Sequence, residues 1–115
     1  MKIGVLLSRL RIEEKLIFQA LRKRGLDFER IDDESLALGA ERDGWGESFD
    51  VVWCRSLSHI RALYALNILN SWGVKTVNSY DVINTCGDKI RTTMALSKAG
   101  IPSPKTVVAF GMDSA

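Results

Sequence analysis

Arginine and serine side chains are concentrated directly after two short apolar runs of this 115-residue chain, at residues 2–7 and 50–54. The side chains concerned are Ser8, Arg9, Arg11, Arg55, Ser56, Ser58 and Arg61. A guanidinium group can hold a carboxylate or a phosphate through two parallel hydrogen bonds, so the pattern favours an anion-binding site. Its candidate ligands are Arg9, Arg55, Ser58 and Arg61, together with Asn78 after a later apolar run. The alternative is that the arginines are solvated and pair with Glu13, Glu14 or the acidic segment 28–50.

A second candidate site lies in the segment 84–89, which reads NTCGDK. Gly87 and Asp88 predict the start of a helix, and Lys89 then falls in its first turn, where the helix dipole disfavours a cation. The backbone amides at a helix N-terminus, together with a lysine, favour phosphate binding. Lys89 is therefore a candidate phosphate ligand. The alternative is that Lys89 points to water and pairs with Asp88.

Several other chemistries do not fit the spacing of the residues. Cys54 and Cys86 lie 32 residues apart, with no CxxC pair and a single histidine in the chain, so the standard zinc spacings are excluded and both thiols are expected to be reduced. The chain contains neither a GxGxxG after the first apolar run nor a GxxxxGK[ST] motif. His59 has no obvious partner in the sequence and is interpreted as a surface or capping residue. We assign no catalytic residue and no metal ligand within the chain.

The composition is that of a globular protein, with 46% hydrophobic and 26% charged residues. The net charge of +2 is too small to indicate nucleic-acid binding. The charge is unevenly distributed, because residues 28–50 carry eight acidic and two basic groups between two basic flanks. No apolar run is long enough to cross a bilayer, and the N-terminus does not resemble a signal peptide, so we expect no membrane partner and a cytoplasmic location.

Apolar runs alternate with helical patterns along the chain, which predicts a parallel sheet with helical crossovers. Predicted strands are residues 2–7, 28–31, 50–54 and 74–77. Predicted helices begin near Ile12, at Ser56 or Ser58, near Ser79 and at Asp88, and glycines 25, 73 and 100 end three of them. The predicted fold class is α/β, a small open, mostly parallel sheet of about four strands with helices on both faces.

The C-terminal segment begins a new pattern after Pro102 and Pro104. Residues 105–110 are apolar and predict a further strand, and Asp113 or Ser114 could cap a following helix. A strand and a helix cap without the helix itself suggest that a second domain starts here and is truncated.

Taken together, these segments resemble the N-terminal portion of ATP-grasp ligases of the RimK type, and in particular the LysX subfamily of lysine biosynthesis. The resemblance rests on residues 77–83, on CGDK at 86–89 and on ALSKAGIPSPKT at 95–106. The opening strand and the loop 55–58 also fit. The likeness therefore extends over nearly the whole chain.

The resemblance implies a preATP-grasp domain at residues 1–101 and the beginning of an ATP-grasp domain at 102–115. It implies that Lys89 contacts an ATP phosphate, and that Mg²⁺ is bound by residues outside this chain. The implied reaction activates a carboxylate as an acyl phosphate. It thereby attaches α-aminoadipate, or glutamate in related enzymes, to the C-terminal glutamate of a small acidic amino-group carrier protein. Because the Mg²⁺ ligands would be missing, we expect the 115-residue chain alone to be inactive. Separately, we expect the full-length protein to be a homo-oligomer.

Two other interpretations remain open at this stage. The chain could be a stand-alone binding module that holds an acidic protein or a small anion at the sheet edge without chemistry. It could also be a structural domain that dimerises through an apolar helix, such as the one predicted from Ile60 to Trp72.

Overall fold

The computed structural model describes residues 1–114, and its elements alternate between strand and helix. The strands are β1 (Lys2–Leu7), β2 (Asp27–Asp32), β3 (Val51–Arg55) and β4 (Thr76–Val77). The helices are α1 (Ile12–Lys23), α2 (His59–Ser71), α3 (Tyr80–Cys86) and α4 (Lys89–Lys98), with short 3₁₀ turns at Trp45–Ser48 and Met112–Ser114. All four strands pair in parallel in the order β2-β1-β3-β4. The predicted α/β fold class is confirmed.

The register of the sheet brings three strand ends to the same level. Leu7, the last residue of β1, is opposite Asp32 of β2 on one side and opposite Arg55 of β3 on the other. The residues that follow these three strands therefore emerge side by side at the carboxyl edge. In open α/β sheets this edge is where ligands bind.

Helices cover both faces of the sheet, as the alternation of buried side chains along β1 requires. On one face, Val5 and Leu7 pack with Phe18 and Leu21 of α1. On the other face, Leu6 and Val52 pack with a second set of buried residues, which includes Ala65, Leu69, Trp72 and Val74. The buried side chains of β1 thus point alternately to the two helical layers, and this rigid core fixes the positions of the strand ends.

The helix boundaries agree closely with the predicted caps. The Ser58 hydroxyl accepts a hydrogen bond from the Arg61 amide at the start of α2, and Asp88 accepts two backbone hydrogen bonds at the start of α4. Gly25, Gly73 and Gly100 all have positive φ angles directly after helices. Glycine adopts this conformation without a steric penalty, which is why it ends these helices.

Two predictions about local structure are wrong. Residues 105–110 form no strand in the part of the chain that the structure describes, because no other strand lies alongside to accept and donate the ladder hydrogen bonds. Strand β4 is shorter than the predicted 74–77, since it begins at Thr76. In the loop before β3, Trp45 lies half-buried against the core and packs on Phe49 at a ring distance of 5.2 Å.

The chain divides into two compact units, Met1–Ile83 and a second unit that begins at Asn84. The sheet with α1 and α2 belongs to the first unit, and α4 belongs to the second. The predicted domain boundary near residue 101 stays a prediction. Across residues 1–114, no helix is both long and apolar enough to span a bilayer.

Candidate functional site

A buried carboxylate ties the ends of three strands together at the carboxyl edge of the sheet. Asp33, directly after β2, accepts hydrogen bonds at Oδ2 from the hydroxyls of Ser8 (2.6 Å) and Ser56. Ser8 follows β1 and Ser56 follows β3, so the register described above places all three side chains together. The Leu57 amide in turn donates to Ser8 Oγ at 2.8 Å. This cluster fixes the loops that carry the candidate arginines.

Arg61 completes the Asp33 cluster from helix α2. Its Nη1 donates to Asp33 Oδ1 at 3.1 Å and to Glu34 Oε1 at 2.9 Å. Burial opposes ionisation of Asp33, but the hydrogen bonds from Ser56, Ser8 and Arg61 outweigh it and hold the pKa of this carboxyl below its ordinary value. The structure therefore shows Arg61 paired with the acidic segment 28–50, which was the alternative to ligand binding by this arginine.

A second buried carboxylate, Glu14 in the first turn of α1, holds two arginines at the neighbouring strand end. Arg11 donates from Nε to Oε2 at 2.9 Å and from Nη2 to Oε1 at 2.7 Å. Arg55 donates from Nε and Nη2 to the same Oε1, at 3.2 and 2.9 Å. The Arg11 amide donates to Oε2 as well, so that Arg11 and Glu14 close the N-terminus of the helix.

These contacts make Glu14 a firmly ionised group. Its side chain is only 1% exposed, whereas those of Arg11 and Arg55 are 32% and 31% exposed. The hydrogen bond from Arg11, aided by those from Arg55 and opposed by burial, lowers the pKa of Glu14 from 4.5 to about 2. Two guanidinium groups therefore face the buried carboxylate of Glu14, and the exposed carboxylate of Glu13 lies 3.9 Å from Arg11 Nε.

The remaining predicted ligands lie at the same edge but outside these two clusters. Arg9 is exposed in the loop after β1, and Asn78 is exposed directly after β4. Ser58 caps helix α2 through its side chain, which is a structural role. The sheet therefore brings the predicted residues to one edge, and among them Arg55 and Arg61 are held by ion pairs.

Sequence reasoning treated Glu14 as a possible partner and did not single out Asp33, yet both carboxylates organise the edge. A signal for Glu14 was present, because Arg11 and Glu14 have the i,i+3 spacing of an ion pair on a helix surface. Asp33 stands directly after the largely polar strand β2, at the level of Ser8 and Ser56, which follow the neighbouring strands. That coincidence becomes visible only when the strand order is known.

Lys89 lies in the second unit, at the start of α4, and is exposed. It lines a cavity of about 400 Å³. The other lining residues are Cys86, Thr92, Thr93, Pro104 and Thr106. An ammonium group in a concave site with neighbouring hydroxyls is suited to an anionic group such as a phosphate.

The backbone amides of α4 are arranged differently from the sequence-based expectation. Asp88 Oδ1 accepts hydrogen bonds from the amides of Ile90 and Arg91, both at 2.9 Å. The hydroxyls of Thr92 and Thr93 donate to backbone carbonyls within the same segment. The Lys89 side chain, rather than the helix amides, is therefore the group best placed to meet a phosphate in this cavity.

The described residues do not form a metal-binding cluster. Within 1–114, no three His, Cys, Asp or Glu side chains converge in an arrangement that could hold a metal ion. Cys54 and Cys86 are both free thiols, and burial raises the pKa of the Cys54 thiol.

The four-stranded parallel sheet with helices on both faces and polar residues at its strand ends is consistent with a preATP-grasp domain. The family model described as the LysX preATP-grasp domain matches residues 3–85. The chain belongs to this family. The resemblance inferred from the sequence is confirmed.

Among curated relatives, the glutamate–LysW ligase ArgX of Sulfolobus acidocaldarius is 40% identical over 115 residues. The ArgX of Sulfurisphaera tokodaii is 37% identical, and the α-aminoadipate–LysW ligase LysX of the same organism is 35% identical over 125 residues. Each alignment covers 100% of this chain but 40%, 40% and 41% of the respective relative. The chain thus spans about two fifths of the length of these relatives.

A solved structure shows the same fold. The crystal structure of a RimK domain ATP-grasp protein from Sphaerobacter thermophilus superposes with a TM-score of 0.82 at 27% identity. The match covers 98% of this chain and 42% of that chain. The structural match and the family model therefore both relate this fold to ATP-grasp proteins.

Proposed function

We propose that this chain is the N-terminal part of an ATP-dependent carboxylate–amine ligase. The enzyme would attach α-aminoadipate or glutamate to the C-terminal glutamate of a small acidic amino-group carrier protein, in lysine or arginine biosynthesis. The observation that carries the proposal is the match of the LysX preATP-grasp model to residues 3–85. The names of the relatives support both amino acids, since ArgX and LysX ligases match at similar identities.

Residues 102–115 would begin the ATP-grasp domain itself. The share of the relatives that this chain spans, about two fifths, supports this division. Exposed apolar side chains in this segment also support it, because Phe110 and Met112 are each 96% exposed and would gain stability from further packing. The oligomeric state of the full-length protein, expected to be a homo-oligomer, belongs to the same proposal.

Lys89 would bind a phosphate of ATP. Its place in a cavity of about 400 Å³ supports this role, because the ammonium group can approach an anion there without displacing an internal contact of the helix cap. ATP with Mg²⁺ would supply the phosphoryl group that activates the carboxylate, and the Mg²⁺ ligands would lie outside residues 1–114. We therefore expect no ADP release from the 115-residue chain by itself.

The basic carboxyl edge would meet the acidic reactants. Arg9 is exposed there, and the side chains of Arg11 and Arg55 are each about one-third exposed. Both features favour carboxylate groups and the approach of an acidic carrier. Arg61, Ser58 and Asn78 complete the same edge, where Arg61 and Ser58 hold the loop in place.

The decisive experiment measures ADP release by the full-length gene product with an acidic carrier protein and either amino acid. Turnover that requires both the carrier and an amino acid supports the proposal, and its absence with both amino acids refutes it. The variant Lys89→Ala should raise the KM for ATP about tenfold, the effect of losing one charge-assisted hydrogen bond. The matched control is Lys98→Ala at the other end of α4, which should leave this KM unchanged. An unaltered KM in Lys89→Ala would remove Lys89 from the site.

A stand-alone anion-binding module is the other outcome of the same experiment. Binding of the carrier without any ATP turnover by the full-length product would favour the module over the ligase.

A further inference from the structure

The two arginines held by Glu14 use only one edge of each guanidinium group. A guanidinium is planar and carries five N–H donors, arranged along a lateral Nε/Nη2 edge and an outer Nη1/Nη2 edge. Arg11 and Arg55 both direct Nε and Nη2 to Glu14. Among residues 1–114, no protein group accepts a hydrogen bond from Nη1 of either arginine. The outer edge of each group therefore keeps the geometry that binds a carboxylate in bidentate fashion.

Glu14 also brings the two guanidinium groups together. Both Nη2 atoms lie within hydrogen-bond distance of the same Oε1, at 2.7 and 2.9 Å, so the arginines are neighbours despite their like charge. The ordering of both side chains is already achieved in the protein itself. An incoming anion would not have to fix two long side chains, which is a large part of the usual entropic cost of binding.

The charge balance distinguishes this cluster from the other one at the same edge. Arg61 is matched by two carboxylates, Asp33 and Glu34, so that cluster has an excess of negative charge. In the Glu14 cluster, Arg11 and Arg55 face the buried Glu14 and the exposed Glu13, whose Oε2 lies 3.9 Å from Arg11 Nε, so this cluster has no negative excess. Its arginines, each about one-third exposed, are therefore better placed to meet an anion than Arg61.

We propose that Arg11 and Arg55, positioned by Glu14, form the site that binds a carboxylate of the ligand at this edge. Glu14 is a positioning residue: it is buried and acts through the two arginines. That the carboxylate belongs to an amino acid or to the C-terminus of a carrier rests on the proposed function. The site itself follows from the geometry: the Arg11 amide closes the N-terminus of α1, and its side chain keeps an outer edge available for a ligand.

The test measures binding of four probes to the full-length gene product by isothermal titration in the absence of ATP. The probes are L-glutamate, L-α-aminoadipate, a short acidic peptide that ends in glutamate, and inorganic phosphate. The variants Arg11→Lys and Arg55→Lys keep the positive charge but lose the planar pair of N–H donors that binds a carboxylate in bidentate fashion. Each should therefore raise, about tenfold, the Kd of the carboxylate probe that binds. Arg24→Lys, an exposed arginine at the far end of α1, is the matched control and should leave the Kd unchanged.

The role of Glu14 is tested by a double-mutant cycle with Arg55, in addition to the affinity lost in the single variant. Glu14→Gln should raise the Kd about tenfold in the wild-type background and have little further effect in the Arg55→Lys background, because both changes disturb one unit. In turnover assays it should raise the KM for the carboxylate substrate and leave the KM for ATP unchanged. If Glu14→Gln does not fold, Glu14→Asp retains the charge and shortens its reach, and the same increase in Kd is expected.

The outcomes separate three questions: the source of the carboxylate, the existence of the site and the proposed function. Tight binding of an amino acid identifies the substrate as the source of the carboxylate, and tight binding of the peptide alone identifies the carrier. Equal Kd values for wild type, Arg11→Lys and Arg55→Lys overturn the site, as does a preference for phosphate over every carboxylate probe. Probe binding that depends on these arginines in a protein without ADP release would leave the site standing and refute the proposed function.

Discussion

Replacing Glu14 with glutamine removes the charge that holds Arg11 and Arg55, while it changes the volume of the side chain very little. The amide can offer one oxygen to the arginines, but its NH₂ group must face donors that now have no acceptor. Because the side chain is 1% exposed, water cannot easily take over the missing hydrogen bonds. We expect the variant to fold with reduced stability.

The size of this effect follows from the pKa of Glu14. A fall in pKa from 4.5 to about 2 on folding corresponds to roughly 3 kcal/mol of stability at neutral pH. The arginine partners are about one-third exposed, so solvent screens part of the interaction. We therefore expect Glu14→Gln to lower the free energy of unfolding by about 2 kcal/mol at pH 7.

Urea unfolding followed by tryptophan fluorescence measures this change, since Trp53 and Trp72 both pack on the cores of the sheet. Glu13→Gln is the matched control: Glu13 is 61% exposed and lies 3.9 Å from Arg11, so its loss should cost less than about 0.5 kcal/mol. Equal losses for the two variants, or no loss for Glu14→Gln, would contradict the assignment of Glu14 as the organising carboxylate.

The pH dependence provides a second check with a defined sign. The folded-state pKa of Glu14 is depressed, so its contribution is fully present above the unfolded pKa of 4.5 and disappears as the pH falls towards 2. The stability difference between wild type and Glu14→Gln should therefore be constant from pH 7 to about pH 5 and shrink below that. A difference that grows on acidification would refute the argument.

Two further substitutions test the packing around strands β3 and β4. Gly46→Ala should destabilise the protein by about 1–3 kcal/mol in urea unfolding, because a Cβ there would clash with Cγ2 of the buried Val74, and Gly39→Ala serves as the control. Asn70→Ala should cost about 2 kcal/mol, since it removes the side-chain hydrogen bonds to Val74 O, Thr76 Oγ1 and the Tyr80 amide. Asn67→Ala, an exposed neighbour on α2, should be nearly neutral, and equal effects of the two asparagine variants would contradict this account.

Local signals were sufficient to predict much of the fold. The caps of α2 and α4 at Ser58 and Asp88 were correct because a capping side chain bonds to amides two or three residues away. The predicted strand at 105–110 was wrong for the opposite reason. A strand forms only with a partner, and an apolar run carries no information on whether one lies beside it.

The candidate site shows the same division between local and long-range information. The sequence placed the arginines at the carboxyl edge correctly, but it left open whether they bind ligands or pair internally. Arg55 and Glu14 are 41 residues apart, so their hydrogen bond depends on β1 and β3 being neighbours in the sheet. The spacing of Arg11 and Glu14 could have revealed the first half of the cluster, whereas the second half required the strand order.

Internal pairing and ligand binding are not alternatives for every arginine at this edge. Arg61 faces the carboxylates of Asp33 and Glu34, which neutralise its charge. Its role is therefore structural: it holds the loop after β2 against helix α2. Arg11 and Arg55 share the buried carboxylate of Glu14, and the exposed Glu13 lies 3.9 Å from Arg11. This pairing orders both side chains through Nε and Nη2 and leaves the outer Nη1/Nη2 edge of each guanidinium group without a protein acceptor among residues 1–114. The proposed carboxylate site therefore rests on these ordered outer edges, because an arginine can be paired on one edge and still bind a ligand on the other.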